Sequence, residues 1–283
     1  MKKLILTALI CLCSTQSWAL TNSSPALDTK WDSVVQIVSD APDADGEDIP
    51  GYCNATLIAK NTLVTAAHCI KLLYLSGKND LRVQVGQYKH VTRPDGRVVR
   101  VGYVTKQEAT IDVQIEINES LKRELQRKKF KTQISPQDDF ALLHWNEQDE
   151  KALKLFFEVT PSKVVSKKEH QVIFKNVSAY QFDLVSINFM SEMSTDTKRS
   201  ARITTLAAKN GHLAASKSSS RVQEGDSGAP LFVSTSTGEK VFAVVKGRAS
   251  TIFSNWDVFS NVHDNFCEVS KRIPNDLYSK NCQ

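Results

Sequence analysis

The chain has 283 residues, 41% hydrophobic and 24% charged, with 11 Gly, 8 Pro and 6 Cys, which excludes a disordered tail, a collagen-like repeat and a coiled coil. Its 36 Lys and Arg against 31 Asp and Glu leave a net charge of +5, a balance that demands no nucleic-acid partner. The one long apolar run, Leu4 to Cys13, is about half the roughly twenty residues a bilayer-spanning helix needs, so no membrane span is expected.

Residues 1–19 read as an export leader. Lys2 and Lys3 supply the positive start, the apolar run follows, and Ser17-Trp18-Ala19 places small residues before a cut. Cleavage there leaves residues 20–283, enough for one large domain or two fused small barrels, in a secreted or periplasmic protein. It also removes Cys11 and Cys13. The remaining Cys53, Cys69, Cys267 and Cys282 suggest two disulfides, with three pairings open. No Cys-x-x-Cys occurs, so a zinc ribbon is not expected, nor any other metal or cofactor.

Short β-type runs follow at Val34–Val38, Thr56–Ile58, Leu63–Thr65, Leu81–Val85, Val98–Val104, Val172–Val177, Pro230–Val233 and Val241–Val245. Several alternate apolar with polar residues, and turns such as Pro94-Asp95-Gly96 and Ser236-Thr237-Gly238 divide them. The pattern points to an all-β sandwich or barrel rather than βαβ units. Glu119 to Lys131 departs from it. Asn118 offers a helix cap, and Leu121 and Leu125 stand four apart, so a strongly basic helix is expected, either as a solvated face or as an anionic docking site. Ala214 to Gln223 is small and polar and reads as a loop.

Three strings carry chemistry, in the order His, Asp, Ser: Thr65-Ala66-Ala67-His68-Cys69, Asp138-Asp139-Phe140-Ala141-Leu142-Leu143, and Glu224-Gly225-Asp226-Ser227-Gly228-Ala229-Pro230. That order is one of three found for triad hydrolysis. His90, His144, His170, His212 and His263 stand outside any such string and read as surface or structural residues. Asn22, Asn54, Asn118 and Asn176 each begin an Asn-x-Ser/Thr acceptor.

On these strings the sequence resembles the trypsin/chymotrypsin-like serine proteases. Val34–Val38 looks like the family's early strand, Val241–Val245 like the strand lining the substrate cleft, and Val258–Val262 like the last strand before a C-terminal helix. The resemblance implies two antiparallel six-stranded β-barrels with a C-terminal helix and a helical insertion. The first barrel would run from about residue 20 to 150 and the second from about 151 to 283, with the site in the crevice between them. It pairs Cys53 with Cys69, which leaves Cys267 with Cys282, a bridge not usual in the family.

A serine hydroxyl is a poor nucleophile at neutral pH, so Ser227 needs His68 as its base, and the imidazolium needs a buried counter-charge. The family pattern makes that residue Asp139 rather than Asp138. The backbone N–H groups of Gly225 and Ser227 would form the oxyanion hole. Asp226 resembles the residue that an N-terminal ammonium holds in place, and the family's mature terminus falls near Leu20 to Asn22.

The pattern also breaks. The span from His68 to Asp139 is longer than the family norm. Lys246-Gly247-Arg248 replaces Ser-Trp-Gly on the cleft strand, whose serine in the family supports the catalytic aspartate, so the geometry behind Asp139 is altered. Arg221 stands where the family keeps the residue at the base of its primary specificity pocket, and Asp257 aligns with another lining position. Arg221, Lys246, Gly247, Arg248 and Asp257 are therefore the expected substrate-binding residues. Their charges favour an acidic residue before the scissile bond over a neutral or basic one. The expected function is a monomeric secreted serine endopeptidase acting on proteins or peptides through an acyl-enzyme; the alternative is a protease-fold binding protein without turnover.

Overall fold

Period-two stretches pair into two curled antiparallel sheets, the half-barrels of the expected two-barrel architecture. The computed structural model describes residues 20, 23–42, 48–187, 198–203, 206–209, 212–216, 222–250, 255–274 and 276–282. After a two-residue strand β1 (Ser24–Pro25), the chain builds one sheet from β2 (Val34–Pro42), β3 (Asp48–Ala59) and β4 (Thr62–Thr65). Helix α1 (Lys71–Ser76) intervenes before β5 (Asp80–Thr92), β6 (Val98–Asp112) and β7 (Gln114–Ile117). Helix α2 (Glu119–Lys128) is the insertion, and β8 (Ala141–His144) closes the set in the order β6-β5-β2-β3-β4-β8-β7.

The second sheet follows α3 (Glu150–Leu155). It contains β9 (Lys163–Val164) and, beyond α4 (Lys167–Lys175), β10 (Phe182–Ile187), β11 (Lys198–Ile203), β12 (Leu206–Lys209) and β13 (His212–Ser216). It is completed by β14 (Pro230–Thr235), β15 (Gly238–Ser250) and β16 (Asn255–Asn261). Its order is β1-β11-β10-β14-β15-β16-β13-β12, with β9 parallel to β15. Helices α5 (Val262–Val269) and α6 (Leu277–Cys282) end the described chain.

Both disulfides form: Cys53–Cys69 and Cys267–Cys282, with Cα atoms 5.9 and 5.6 Å apart. Each closes a short loop and contributes about 3 kcal/mol through lost unfolded-state entropy. The insertion forms the expected helix. Asn118 accepts the Leu121 N–H at 2.7 Å, and Leu121 and Leu125 face the core while the basic residues face out.

Four expectations change. Val172–Val177 is not a strand: helix α4 covers Lys167–Lys175, started by a capping box in which Ser166 and Glu169 bond each other's backbone N–H groups. A short apolar run fits helix and strand alike, and here the cap decides. Residues 214–216, expected in a loop, belong to β13, because three small residues pair with Trp256, Asp257 and Val258 of β16. The sheets hold seven and nine strands among the described residues rather than six each; two of the nine, β1 and β9, are two-residue pieces that carry no periodic signal. Finally, β1 pairs with β11, so Ser24 and Pro25 belong to the second sheet although they precede the first.

Candidate active site

Strand pairing brings the histidine and the aspartate together. Strand β4 ends at Thr65 opposite Ala141, where β8 begins. His68 lies in the turn just after the one, and Asp139 just before the other. The Asp139 carboxylate, with no solvent exposure, accepts the His68 backbone N–H on Oδ1 and faces His68 Nδ1 through Oδ2, both at 2.8 Å. That contact assigns the neutral imidazole proton to Nδ1 and leaves Nε2 able to accept one. Burial would push the Asp139 carboxyl up, but the charge and hydrogen bonds of His68, together with Lys246, outweigh it and hold the group below the ordinary carboxylate range.

The neighbouring carboxylate does another job. Asp138 accepts from Asn118 and Ser120 at 3.0 Å and from Ser135 at 2.8 Å, which fixes the end of the insertion. Phe140, fully buried, packs edge-on against Phe266 of α5 with ring centroids 6.5 Å apart. The Asp139 backbone is thus pinned on both sides.

Ser227 enters on a turn before β14. Gly225 has φ +91° and Gly228 φ +76°, conformations that favour glycine. Gly228 donates to the Val245 carbonyl at 2.8 Å, and the Ser227 carbonyl accepts the Asn54 N–H at 2.7 Å. Ser227, Gly225 and His68 line one cleft of about 330 Å³, together with Tyr52, Leu72 and the Cys53–Cys69 bridge. The site therefore draws a face from each sheet.

In the sequence Asn54 begins an acceptor triplet but sits beside Cys53 on an expected strand, where modification is not expected, and its burial closes it to that chemistry. Its side chain donates to the Gly225 carbonyl at 2.8 Å and to Ser186 Oγ at 3.2 Å, and accepts the Ile187 N–H at 2.7 Å. One fully buried amide thus ties β3 to β10 and to the turn that carries Ser227. Nothing in the string Cys53-Asn54-Ala55 signals this role, which depends on the approach of the second sheet.

Asp226 is fully buried. It accepts from Ser186 Oγ at 2.5 Å, Gln223 N–H at 2.7 Å and Leu20 N–H at 3.1 Å. All three donors are neutral. Burial, with Asp257 adding repulsion, pushes the Asp226 carboxyl up to about 6 against those hydrogen bonds.

The expected substrate-binding residues separate. Arg221 lies outside the described residues, as does Asn22. Lys246 turns from the expected substrate position toward Asp139, its ammonium 3.3 Å from Oδ2 and 2.7 Å from the Ile134 carbonyl. Gly247, at φ +142°, follows it in a break of the β15–β16 register. Arg248 is exposed and donates from Nη2 to the Val222 carbonyl, while Asp257, buried, stands opposite it in the β15–β16 pairing. Among the described residues, two groups gather histidine with cysteine: Cys53, His68 and Cys69, and His263, Cys267 and Cys282. Their sulfurs are in disulfides and offer no thiolate to a metal.

A family model described as Trypsin matches residues 22–264. No curated protein matches the chain.

Proposed function

The chain belongs to the trypsin family, a serine endopeptidase that hydrolyses peptide bonds by Ser-His-Asp catalysis, and we propose that Ser227, His68 and Asp139 are the residues that do it. The observation that carries this assignment is the His68–Asp139 contact at 2.8 Å beside Ser227 in one cleft. His68 Nε2 takes the Ser227 hydroxyl proton as Oγ attacks the scissile carbonyl carbon. The carbonyl electron pair moves to oxygen, where the Gly225 and Ser227 N–H groups receive the charge, each worth about 2.7–4 kcal/mol in the transition state. The intermediate collapses to an acyl-enzyme as His68 gives its proton to the leaving amine. Water, deprotonated by the same nitrogen, then releases the acid. Asp139 holds the ring and opposes the imidazolium charge. The magnitudes known for this chemistry were established on serine proteases themselves, and on that scale Ser227→Ala lowers kcat about 10⁶-fold with KM little changed. A Ser227→Ala enzyme with wild-type amidase activity would remove the assignment.

We further propose that the mature domain is residues 20–283 and that export activates it. Cutting after Ala19 turns the Leu20 amide, 3.1 Å from Asp226 Oδ2, into an ammonium at the same spot. A buried carboxylate held by neutral donors then gains its counter-charge. Trypsin-family proteins are typically secreted, and two disulfides suit an oxidising compartment.

A further inference from the structure

Strand β15 contains a bulge at the point where it passes the active site. Val245 pairs with Phe259 and Gly247 with Val258, so Lys246 is the extra residue with no cross-strand position of its own. A bulge turns the side chain it carries away from the normal alternation, and the φ of +142° at Gly247 supplies the backbone freedom. The result is that Lys246 leaves the substrate side and reaches under the catalytic turn.

There its ammonium is held at two points. The Ile134 carbonyl, from the segment that follows α2, accepts at 2.7 Å, and Asp139 Oδ2 at 3.3 Å. Asp139 Oδ2 therefore receives His68 Nδ1–H and Lys246 together, while Oδ1 receives the His68 backbone N–H. With three donors the carboxylate cannot rotate away from the ring. The lysine side chain is 26% exposed and the carboxylate not at all, so water screens the pair only from one end.

We infer that Lys246 is a positioning residue for the triad: it locks Asp139 against His68 and offsets part of the carboxylate charge, and so sets the acid limit of activity. This rests on the triad assignment above. The sign follows from charge. A cation beside Asp139 offsets part of its negative charge and weakens the hold of the carboxylate on a positively charged ring, so removing Lys246 strengthens that hold. Among the described residues, the other charged groups around the ring have partners or positions of their own. Asp138 on the same turn is bound by Asn118, Ser120 and Ser135; Lys71 on α1 is bound to the Phe130 and Thr132 carbonyls; Asp226 is buried beside Ser227, and Glu224 stands at the exposed rim. Lys246 is the one cation among these that touches Asp139. The insertion takes part as well, since its Ile134 carbonyl aims the lysine.

The test is the pH profile of kcat/KM for wild type, Lys246→Met, Lys246→Gln and Lys246→Arg, with active sites counted by uptake of a fluorophosphonate at Ser227. The position of the acid limb does not depend on how much of a variant folds. Removing the charge moves the limb up by about one pH unit in the Met and Gln variants, with KM unmoved, and the Arg variant keeps the wild-type limb. A lysine that only fills space would lower the plateau and leave the limb where it is. Uptake at Ser227 with coincident limbs in all four proteins overturns the role of Lys246 alone. A wild type that takes up no fluorophosphonate at Ser227 overturns the triad assignment, and the inference with it.

Discussion

Gly228 shows how closely the two sheets approach beside Ser227. A Cβ there would stand 2.2 Å from the Asn54 carbonyl oxygen and 2.3 Å from Thr65 Oγ1, and its φ of +76° already disfavours a side chain. Those two oxygens are themselves hydrogen-bonded at 2.6 Å, so neither can give way cheaply. Gly228→Ala is therefore expected to cost about 3 kcal/mol or more and to lower the melting temperature by roughly 10 °C. An unchanged melting temperature would mean that the approach is looser than these distances imply. At this scale His68, Asp139 and Ser227 are legible because each sits in a short local string. Asn54 is not, because its partner Gly225 is far away in sequence and meets it only after a sheet contact has formed. At Lys246 the resemblance already marks a position beside the aspartate, and only its bond to the Ile134 carbonyl is unreadable. The choice of Asp139 over Asp138 rests on family resemblance, and the contacts give its physical reason: Asp138 serves the insertion and Asp139 the ring.

At the level of elements, the paired strands β4 and β8 do the main positioning. Both are buried along their full length, and their antiparallel register places the end of one beside the start of the other. The apolar string Leu63–Thr65 reads as a strand because a short apolar run bounded by polar residues suits a buried strand. The same rule fails at helix α4. Val172 to Val177 is apolar enough for a strand, and the deciding signal, Ser166 with Glu169, lies outside the run. Helix α2 is readable through its cap and its two leucines, yet its consequence for the site is not. The segment behind it carries Thr132 and Ile134, whose carbonyls hold Lys71 and Lys246. The added length between His68 and Asp139 thus returns to the site through backbone oxygens, which no side-chain pattern reveals.

For the whole molecule, the proposed cut before Leu20 links processing to stability. In the uncut chain Asp226 is raised to about 6 from an unfolded value near 3.8, so between those pH values the folded state binds the extra proton. The uncut protein should therefore lose about 3 kcal/mol of stability as pH rises from roughly 4 to above 6. In the processed enzyme the Leu20 ammonium favours the ionised carboxylate, and this loss should shrink or vanish. Urea midpoints across that range, for processed protein and for a form whose cut is blocked by Ala19→Arg, would show two curves converging at acid pH. Parallel curves would separate Leu20 from Asp226. The two-barrel plan and the protease chemistry are legible in the sequence, since each is carried by local strings. The sheet membership of β1 is not, because the strand is two residues long and its partner β11 is distant. The central claim is that Ser227 is a nucleophile activated by His68 and Asp139, and mass spectrometry of the processed enzyme after exposure to a fluorophosphonate tests it most directly. One phosphonyl group on the peptide containing Ser227, lost in His68→Ala, is the predicted result; a wild type that stays unlabelled, or carries the group on another serine, would contradict it.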